Sequence, residues 1–412
     1  MAYPEPMLTR SMADTVRRAI RTFPAVLVTG PRQSGKTTLL RMGWGRTHRF
    51  VALENPDVRA RALADPVGFL RENHPPAILD EIQYVPELLP YIKTAIDEDR
   101  SPGRWLLTGS QGFPLMQGVS ESLAGRVAVV TLLPLTVREA MGTAGTSRPL
   151  ASHLSKLCAG AIETGSPPFD LANWLLRGAY PEVRVNPEVD RELWCAGYIQ
   201  TYLERDVRQV VNVGDLNAFH RFLRLAAGRT GQIVNYSDLA RDVGISGPTA
   251  RKWLSVLETS GQVYLLPPYF RNFGKRLIKS PKLYWLDTSV AAFLMGLHSP
   301  EPLLHGPFLG PLFETAVVSA WVKAFHNRGL PPALYFWRSR DGIEVDLLVD
   351  YNGKLYPMEA KATATVLPQH ASALQKWREL AGGGREPAVI VANIPAPVNV
   401  SQGVRAVPWW WI

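Results

Sequence analysis

Short apolar runs punctuate the first third of the chain: AVLVT (25–29), AIL (77–79), WLLT (105–108) and VAVVTLL (127–133), separated by helix-length segments. Unbroken apolar runs at this spacing predict strands buried on both faces, parallel, with crossover helices between them. The pattern then changes. Residues 141–170, MGTAGTSRPLASHLSKLCAGAIETGSPPFD, are rich in Gly, Ser, Thr, Ala and Pro, which predicts a linker with room for one short helix. From 171 to 230 apolar positions recur at three and four, as in WCAGYIQTYLERDVRQVV, the period of a helix.

YSDLARDVGISGPTARKWLSVLETSGQVYLLPPY (236–269) predicts a helix-turn-helix followed by a strand that enters a wing. Ser237 caps the first helix, Leu239, Ala240 and Val243 face inward, and Gly244 turns the chain. Ser246 opens the second helix, with Ala250, Trp253, Leu254 and Leu257 on one face. Mixed strands and helices follow from about 283, and no internal repeat is visible. The boundaries read from these changes are 1–145 for a P-loop α/β domain, 146–215 for linker and helices, 216–280 for a winged helix-turn-helix, and 281–412 for a C-terminal α/β domain.

EVDLLVDYNGKLYPMEAK (344–361) predicts a β-hairpin, since Asn352-Gly353 suits a two-residue type I′ turn between alternating strands. Such a turn sets Tyr351 opposite Lys354, Asp346 opposite Glu359, and Glu344 opposite Lys361. Facing carboxylates repel unless a divalent cation lies between them, so Asp346 and Glu359 become candidate Mg²⁺ or Mn²⁺ ligands. Glu314, on a predicted preceding helix, can complete the shell, and Lys361 can orient a water against a phosphodiester. Asp-x(12)-Glu-x-Lys is the spacing of the PD-(D/E)XK nuclease core. The bland alternative is a cross-strand ion pair between Glu344 and Lys361, with the other two acids solvated on an open sheet.

Gly30-Pro31-Arg32-Gln33-Ser34-Gly35-Lys36-Thr37, with Thr38 behind it, matches G-x-x-x-x-G-K-[ST] between a strand and a helix. Glycines let backbone N–H groups turn toward phosphates, and the helix N-terminus adds a favourable dipole. ATP is the expected cofactor, with Lys36 on its β and γ phosphates and Thr37 on Mg²⁺. AILDE (77–81) ends a second strand in Asp80, which can hold the hydrated metal, and Glu81, which can polarise the attacking water. Ser110 in WLLTGSQ can sense the γ phosphate, or simply cap a helix. Arg126 in SLAGR can act as an arginine finger in a neighbouring copy, or form a surface salt bridge.

With 412 residues and 46% hydrophobic content the chain suits several folded domains, and its charge of +9 favours a polyanionic partner. On the second helix Thr249, Arg251 and Lys252 fit a DNA-reading face. RNFGKRLIKSPK (271–282) holds five positive residues and no acid, and Arg271, Lys275, Arg276 and Lys279 are expected on phosphate backbone. Cys158 and Cys195 form no metal or disulfide pattern, MAYPEPMLTR lacks an export signal, and no apolar run nears the roughly 20 residues of a membrane helix. A cytoplasmic protein is expected.

GPRQSGKTTLL, AILDEIQ, WLLTGSQ, SLAGR, GAYPEV (178–183), YIQTYLERDV, RNFGKRLIKSPKLYWLD, GPLFET, DGIEVDLLV and MEAKAT together resemble a large prokaryotic family of ATPases in which an AAA+ domain precedes a domain of uncharacterised function. The resemblance covers nearly the whole chain. It implies an AAA+ parallel-sheet domain, a winged helix and a restriction-endonuclease-like C-terminal domain. Lys36, Thr37, Asp80 and Glu81 carry over as the Walker residues, and Asp346, Glu359 and Lys361 as the nuclease-like triad. GAYPEV departs from the family's more usual pair of glycines before Tyr-Pro. The expectation is a Mg²⁺-dependent ATPase acting on DNA as a homo-oligomer, with DNA cleavage by the C-terminal domain open; its alternatives are an ATP-driven junction-remodelling motor without nuclease activity, and a nucleotide-gated switch or protein-interaction ATPase.

Overall fold

The computed structural model describes residues 8–110, 118–119, 121–144, 148–162, 165–203, 215–269, 280–339, 341–380 and 387–412. Five strands, β1 (Ala25–Thr29), β2 (Arg49–Ala52), β3 (Ala77–Asp80), β4 (Trp105–Thr108) and β5 (Val127–Thr131), form a sheet in the order β2-β3-β4-β1-β5. Every pairing in it is parallel. β1, β3 and β4 are buried at each position, as their unbroken apolar runs require. The unforeseen strand is β2, an edge strand whose RFVA buries only Val51 and so carries little apolar signal.

Alternate side chains of these strands feed two cores. Leu27, Leu79 and Leu107 pack with Ile92 and Ile96 on one side. Val26, Val28, Ile78 and Leu106 pack on the other with helices α1 (Met12–Ile20) and α2 (Lys36–Trp44). Because β1 lies between β4 and β5, the loop leaving its carboxyl end sits at the crevice where α/β sheets take ligands.

The middle of the chain runs α3 (Leu216–Gly228), β6 (Gln232–Ile233), α4 (Tyr236–Val243), α5 (Gly247–Thr259), β7 (Val263–Leu266) and β8 (Lys282–Trp285). Its strands form an antiparallel sheet in the order β6-β8-β7. The expected inward residues of α4 and α5 are buried, and Gly244 turns between them at φ +82°. The cap of α4 is Asn235 rather than Ser237, because the Asn235 carboxamide reaches the N–H groups of both Ser237 and Asp238. Within the Gly/Ser-rich stretch, Leu150–Ala159 is a helix whose Leu150, Leu154 and Leu157 join the main core.

The last unit holds α6 (Leu309–His326) and a sheet of β9 (Leu334–Arg338), β10 (Glu344–Tyr351), β11 (Lys354–Lys361), β12 (Ala388–Ala392), β13 (Val398–Ser401) and β14 (Val404–Pro408). Strand order is β13-β14-β12-β11-β10-β9, with β11, β12 and β14 parallel neighbours. The hairpin turn has φ 53° at Asn352 and 72° at Gly353, as a type I′ turn requires. Its ladder follows the expected register from Tyr351↔Lys354 to Leu347↔Met358 and stops there. On the other edge of β10 the pairing with β9 shifts between Val345 and Leu348. This bulge puts Val345 and Leu348 in one core and Leu347 and Val349 in the other.

Candidate active site

The P-loop leaves β1 through Gly30 at φ +141°, where a side chain would stand 2.1 Å from the carbonyl oxygen of Leu132. Gln33 at φ 59° and Gly35 at φ +92° complete the left-handed turns that precede α2. Lys36 is buried and its Nζ donates to the carbonyls of Gly30 (3.3 Å) and Pro31 (2.9 Å). The Ser34 hydroxyl is buried and has no hydrogen-bond partner among the described residues. A closed ring of backbone with an ammonium and an orphaned hydroxyl fits phosphate oxygens.

Asp80, at the end of β3, is where side chains from β4 and α2 meet. Its Oδ1 accepts from Thr37 Oγ1 at 2.8 Å and from Thr108 Oγ1 at 2.6 Å. Burial pushes the Asp80 carboxyl up, while those two hydroxyls pull it down, Glu81 pushes it up and Lys36 draws it down. Thr37 and Asp80 are thus paired hard oxygen donors beside the cradle, a set that suits a hydrated Mg²⁺. Glu81 takes a left-handed backbone, φ 58° and ψ 50°, which a non-glycine residue adopts at a cost of about 1–3 kcal/mol. Its N–H donates to Thr108 Oγ1 at 2.9 Å, and its carboxylate accepts from Gln83 Nε2. Gln83 Oε1 in turn accepts from the Ser110 N–H at 3.3 Å. Ser110 therefore reaches Glu81 through Gln83, and Thr38 is exposed beside Thr37.

Arg10 supplies a brace that no local pattern marks. Its guanidinium donates to the carbonyls of Ser34 (2.7 Å) and Leu133 (2.6 Å) and lies 3.4 Å from Glu139, which is wholly buried. Glu139 also accepts from the N–H groups of Ser11 (2.7 Å) and Thr136 (2.8 Å). The P-loop is thereby tied to the segment entering α1. That helix reaches the far end of α6, where Thr15 Oγ1 donates to the Asn327 carbonyl at 2.8 Å and Arg18 to that of Arg328 at 2.8 Å. Arg126 forms a two-pronged pair with Asp97 of its own chain, at 2.7 and 2.9 Å, which is the surface salt bridge foreseen as its alternative.

In the C-terminal unit the expected residues meet, with one intruder. Glu314 on α6 and Glu344 on β10 both hold the ammonium of Lys282, which is 3.1 Å from Glu314. Tyr284 also donates to Glu314, and the Ala360 N–H donates to Asp346 at 2.9 Å. Lys361 pairs with Glu359 at 2.7 Å, not with Glu344. Burial and then the neighbouring Asp346 charge push Glu359 up to about 8 and Glu314 up to about 7. The β10–β11 ladder ends before Asp346 and Glu359 pair, and Lys282 takes an oxygen of Glu314, one of the three expected ligands. Among the described residues no group of three acids, histidines or cysteines is arranged to hold a metal, and of the expected ligands Glu314 is bonded to Lys282 and Glu359 to Lys361. Lys282 itself, the last charge of the basic run and not among the four residues expected on phosphate, is buried here.

On α5, Arg251 and Lys252 are exposed and Thr249 is half-buried, with its N–H bonded to Ser246 at 3.2 Å. Arg251 stacks over the Tyr236 ring at 4.4 Å. Arg271, Lys275, Arg276 and Lys279 lie outside the described residues.

Residues 22–141 match the family described as an AAA domain, 168–301 a domain of unknown function (DUF8612), and 309–412 another (DUF4143). The uncharacterized proteins Rv2008c of Mycobacterium tuberculosis and Mb2031c of Mycobacterium bovis are each 35% identical over 357 residues, 86% of this chain and 74% of theirs. The chain belongs to their family. Its AAA domain makes it a P-loop ATPase. Among solved structures, a Walker-type ATPase of Pyrococcus abyssi is similar at a TM-score of 0.44 and 16% identity, over 69% of this chain and 94% of that one. A RuvB variant of Thermotoga maritima is similar at 0.27 and 18%, over 62% and 89%. No helix among the described residues is long and apolar enough to cross a membrane.

Proposed function

We propose that the chain is a Mg²⁺-dependent ATPase that acts on DNA. Bound at Thr37 and Asp80, the ion supplies positive charge against the phosphates. Lys36 and the P-loop N–H groups orient the γ phosphate, and Glu81, held by Gln83, takes the proton of the attacking water. The succession α3, β6, α4, α5, β7, β8 supports a winged-helix reading, with α5 as the helix that meets the duplex. The observation that carries DNA over other partners is α5 itself: Arg251 and Lys252 are exposed while Ala250, Trp253 and Leu254 are buried. Arg271, Lys275, Arg276 and Lys279 would extend the same contact to backbone phosphates. The Lys282 ion pairs favour a C-terminal domain that contacts its partner over one that cuts it.

Homo-oligomerisation through the ATPase domain belongs to the same proposal, and Arg126 would have to leave Asp97 to serve a neighbouring nucleotide. A nucleotide-gated switch is the second reading, favoured by the α1 contacts that run from the P-loop brace to α6. Fluorescence anisotropy with duplex, single-stranded and four-way DNA, alongside ATP turnover with and without each, tests the leading reading. Charge reversal at Arg251 and Lys252 should weaken binding and flatten its salt dependence. DNA that neither binds nor alters turnover would leave only the switch.

A further inference from the structure

The C-terminal cluster crosses a domain boundary. Glu314, Glu344, Asp346 and Glu359 all belong to the unit of α6 and β9–β14, whereas Lys282 and Tyr284 come from β8 of the preceding one. β8 is the central strand of its sheet, and Lys282 is backbone-paired to Ile233 on one side and Leu266 on the other. Residues two apart on a strand share a face, so Lys282 and Tyr284 project together, and both end on the same oxygen of Glu314. The Lys282 side chain is only 4% exposed, with its ammonium 5.6 Å from the centre of the Phe336 ring. Backbone pairing on both edges fixes the point from which the Lys282 side chain enters the centre.

We propose that Lys282 is the resident cation of this centre, delivered by the neighbouring unit, and that the C-terminal domain takes no divalent metal while Lys282 is present. A divalent ion in the shell of Glu314, Asp346 and Glu359 would have to share the Glu314 carboxylate with an ammonium already bonded to it. Like charges at that separation exclude each other. Beneath the ion pairs lies a latent metal site. Asp346 and Glu359 keep their carboxylates, and Glu359 Oε2 is buried with no hydrogen-bond partner among the described residues. This inference is independent of the DNA reading, since it concerns what fills the centre and not what docks on the chain.

Mn²⁺ binding to the nucleotide-free full chain, followed by the loss of the free-ion paramagnetic resonance signal, tests it. Wild type and Asp346→Asn should give the same isotherm. Lys282→Met should add one Mn²⁺ site per chain, at least tenfold tighter than anything at this centre in wild type, and Asp346→Asn in that background should remove it. Where Lys282→Met unfolds, Lys282→Met with Glu344→Gln removes the pair together and carries the same expectation. A wild-type site that Asp346→Asn abolishes overturns the proposal, as does a folded Lys282→Met chain that gains none.

Discussion

Replacing Arg10 with alanine tests whether the brace behind the P-loop is structural in fact. The guanidinium is 8% exposed, donates to two carbonyls at 2.7 and 2.6 Å and neutralises the wholly buried Glu139. Hydrogen bonds from a charged donor contribute about 1.5–3 kcal/mol, and removing one partner of a buried ion pair costs about 3–5 kcal/mol. These overlap, since the same cation serves both, so the expected loss is about 3–5 kcal/mol. Nucleotide affinity should fall about tenfold as well, the equivalent of ~1.4 kcal/mol, because the Ser34 carbonyl loses the group that fixes its direction. Arg10→Lys should recover little, because one ammonium cannot span two carbonyls and a carboxylate in the fork geometry of a guanidinium. Denaturant unfolding and fluorescent-nucleotide titration read the two effects separately. An Arg10→Ala chain with the wild-type unfolding midpoint and the wild-type nucleotide affinity would refute the brace.

Gly30→Ala should destabilise the AAA domain by at least ~2 kcal/mol and remove nucleotide binding, since the new methyl meets the Leu132 carbonyl and the backbone is left-handed; calorimetry and titration check it. Thr108→Val removes one of two hydroxyls on Asp80 and should lower ATP turnover about tenfold while leaving nucleotide affinity within twofold of wild type, as a kcat-against-Kd comparison would show. Lys323, buried with the Leu135 carbonyl at 3.2 Å, is held down to about 8, chiefly by burial and against the pull of Asp287 and Glu139. Its folded value lies below its unfolded 10.5, so its contribution is complete above pH 10.5 and is lost as pH falls through about 8. Lys323→Met should therefore stabilise the chain at pH 7 by ~1–3 kcal/mol and flatten the rise in stability between pH 8 and 10; an unchanged pH profile would count against this.

The sheet and the P-loop were legible because both are local: contiguous apolar runs mark β1, β3, β4 and β5, and one octapeptide holds the cradle. Asp80 and Glu81 were legible as the end of such a run. Thr108 was hidden inside WLLT, where a strand-end threonine looks like any β-branched residue, and its role appears only when β4 is placed beside β3. Arg10 was invisible because its partners lie at Ser34, Leu133 and Glu139, brought together only by the fold. The hairpin shows the limit most plainly. Asn352-Gly353 fixed the register as far as Leu347↔Met358, but the slip against β9 could not be read from β10 alone. Lys282 was missed for a related reason: a run of positive residues looks uniform in sequence, while its last member lies on β8, paired on both edges, and reaches the carboxylates of Glu314 and Glu344.

ATP turnover and ATP affinity of Glu81→Gln, measured together on the full chain with Mg²⁺, test the catalytic assignment most directly. The glutamine keeps the shape of the side chain but cannot accept the water's proton, so ATP should bind as tightly as in wild type and turn over at least ~100-fold more slowly. Hydrolysis at the wild-type rate would contradict the assignment of Glu81 and of the site built around Asp80.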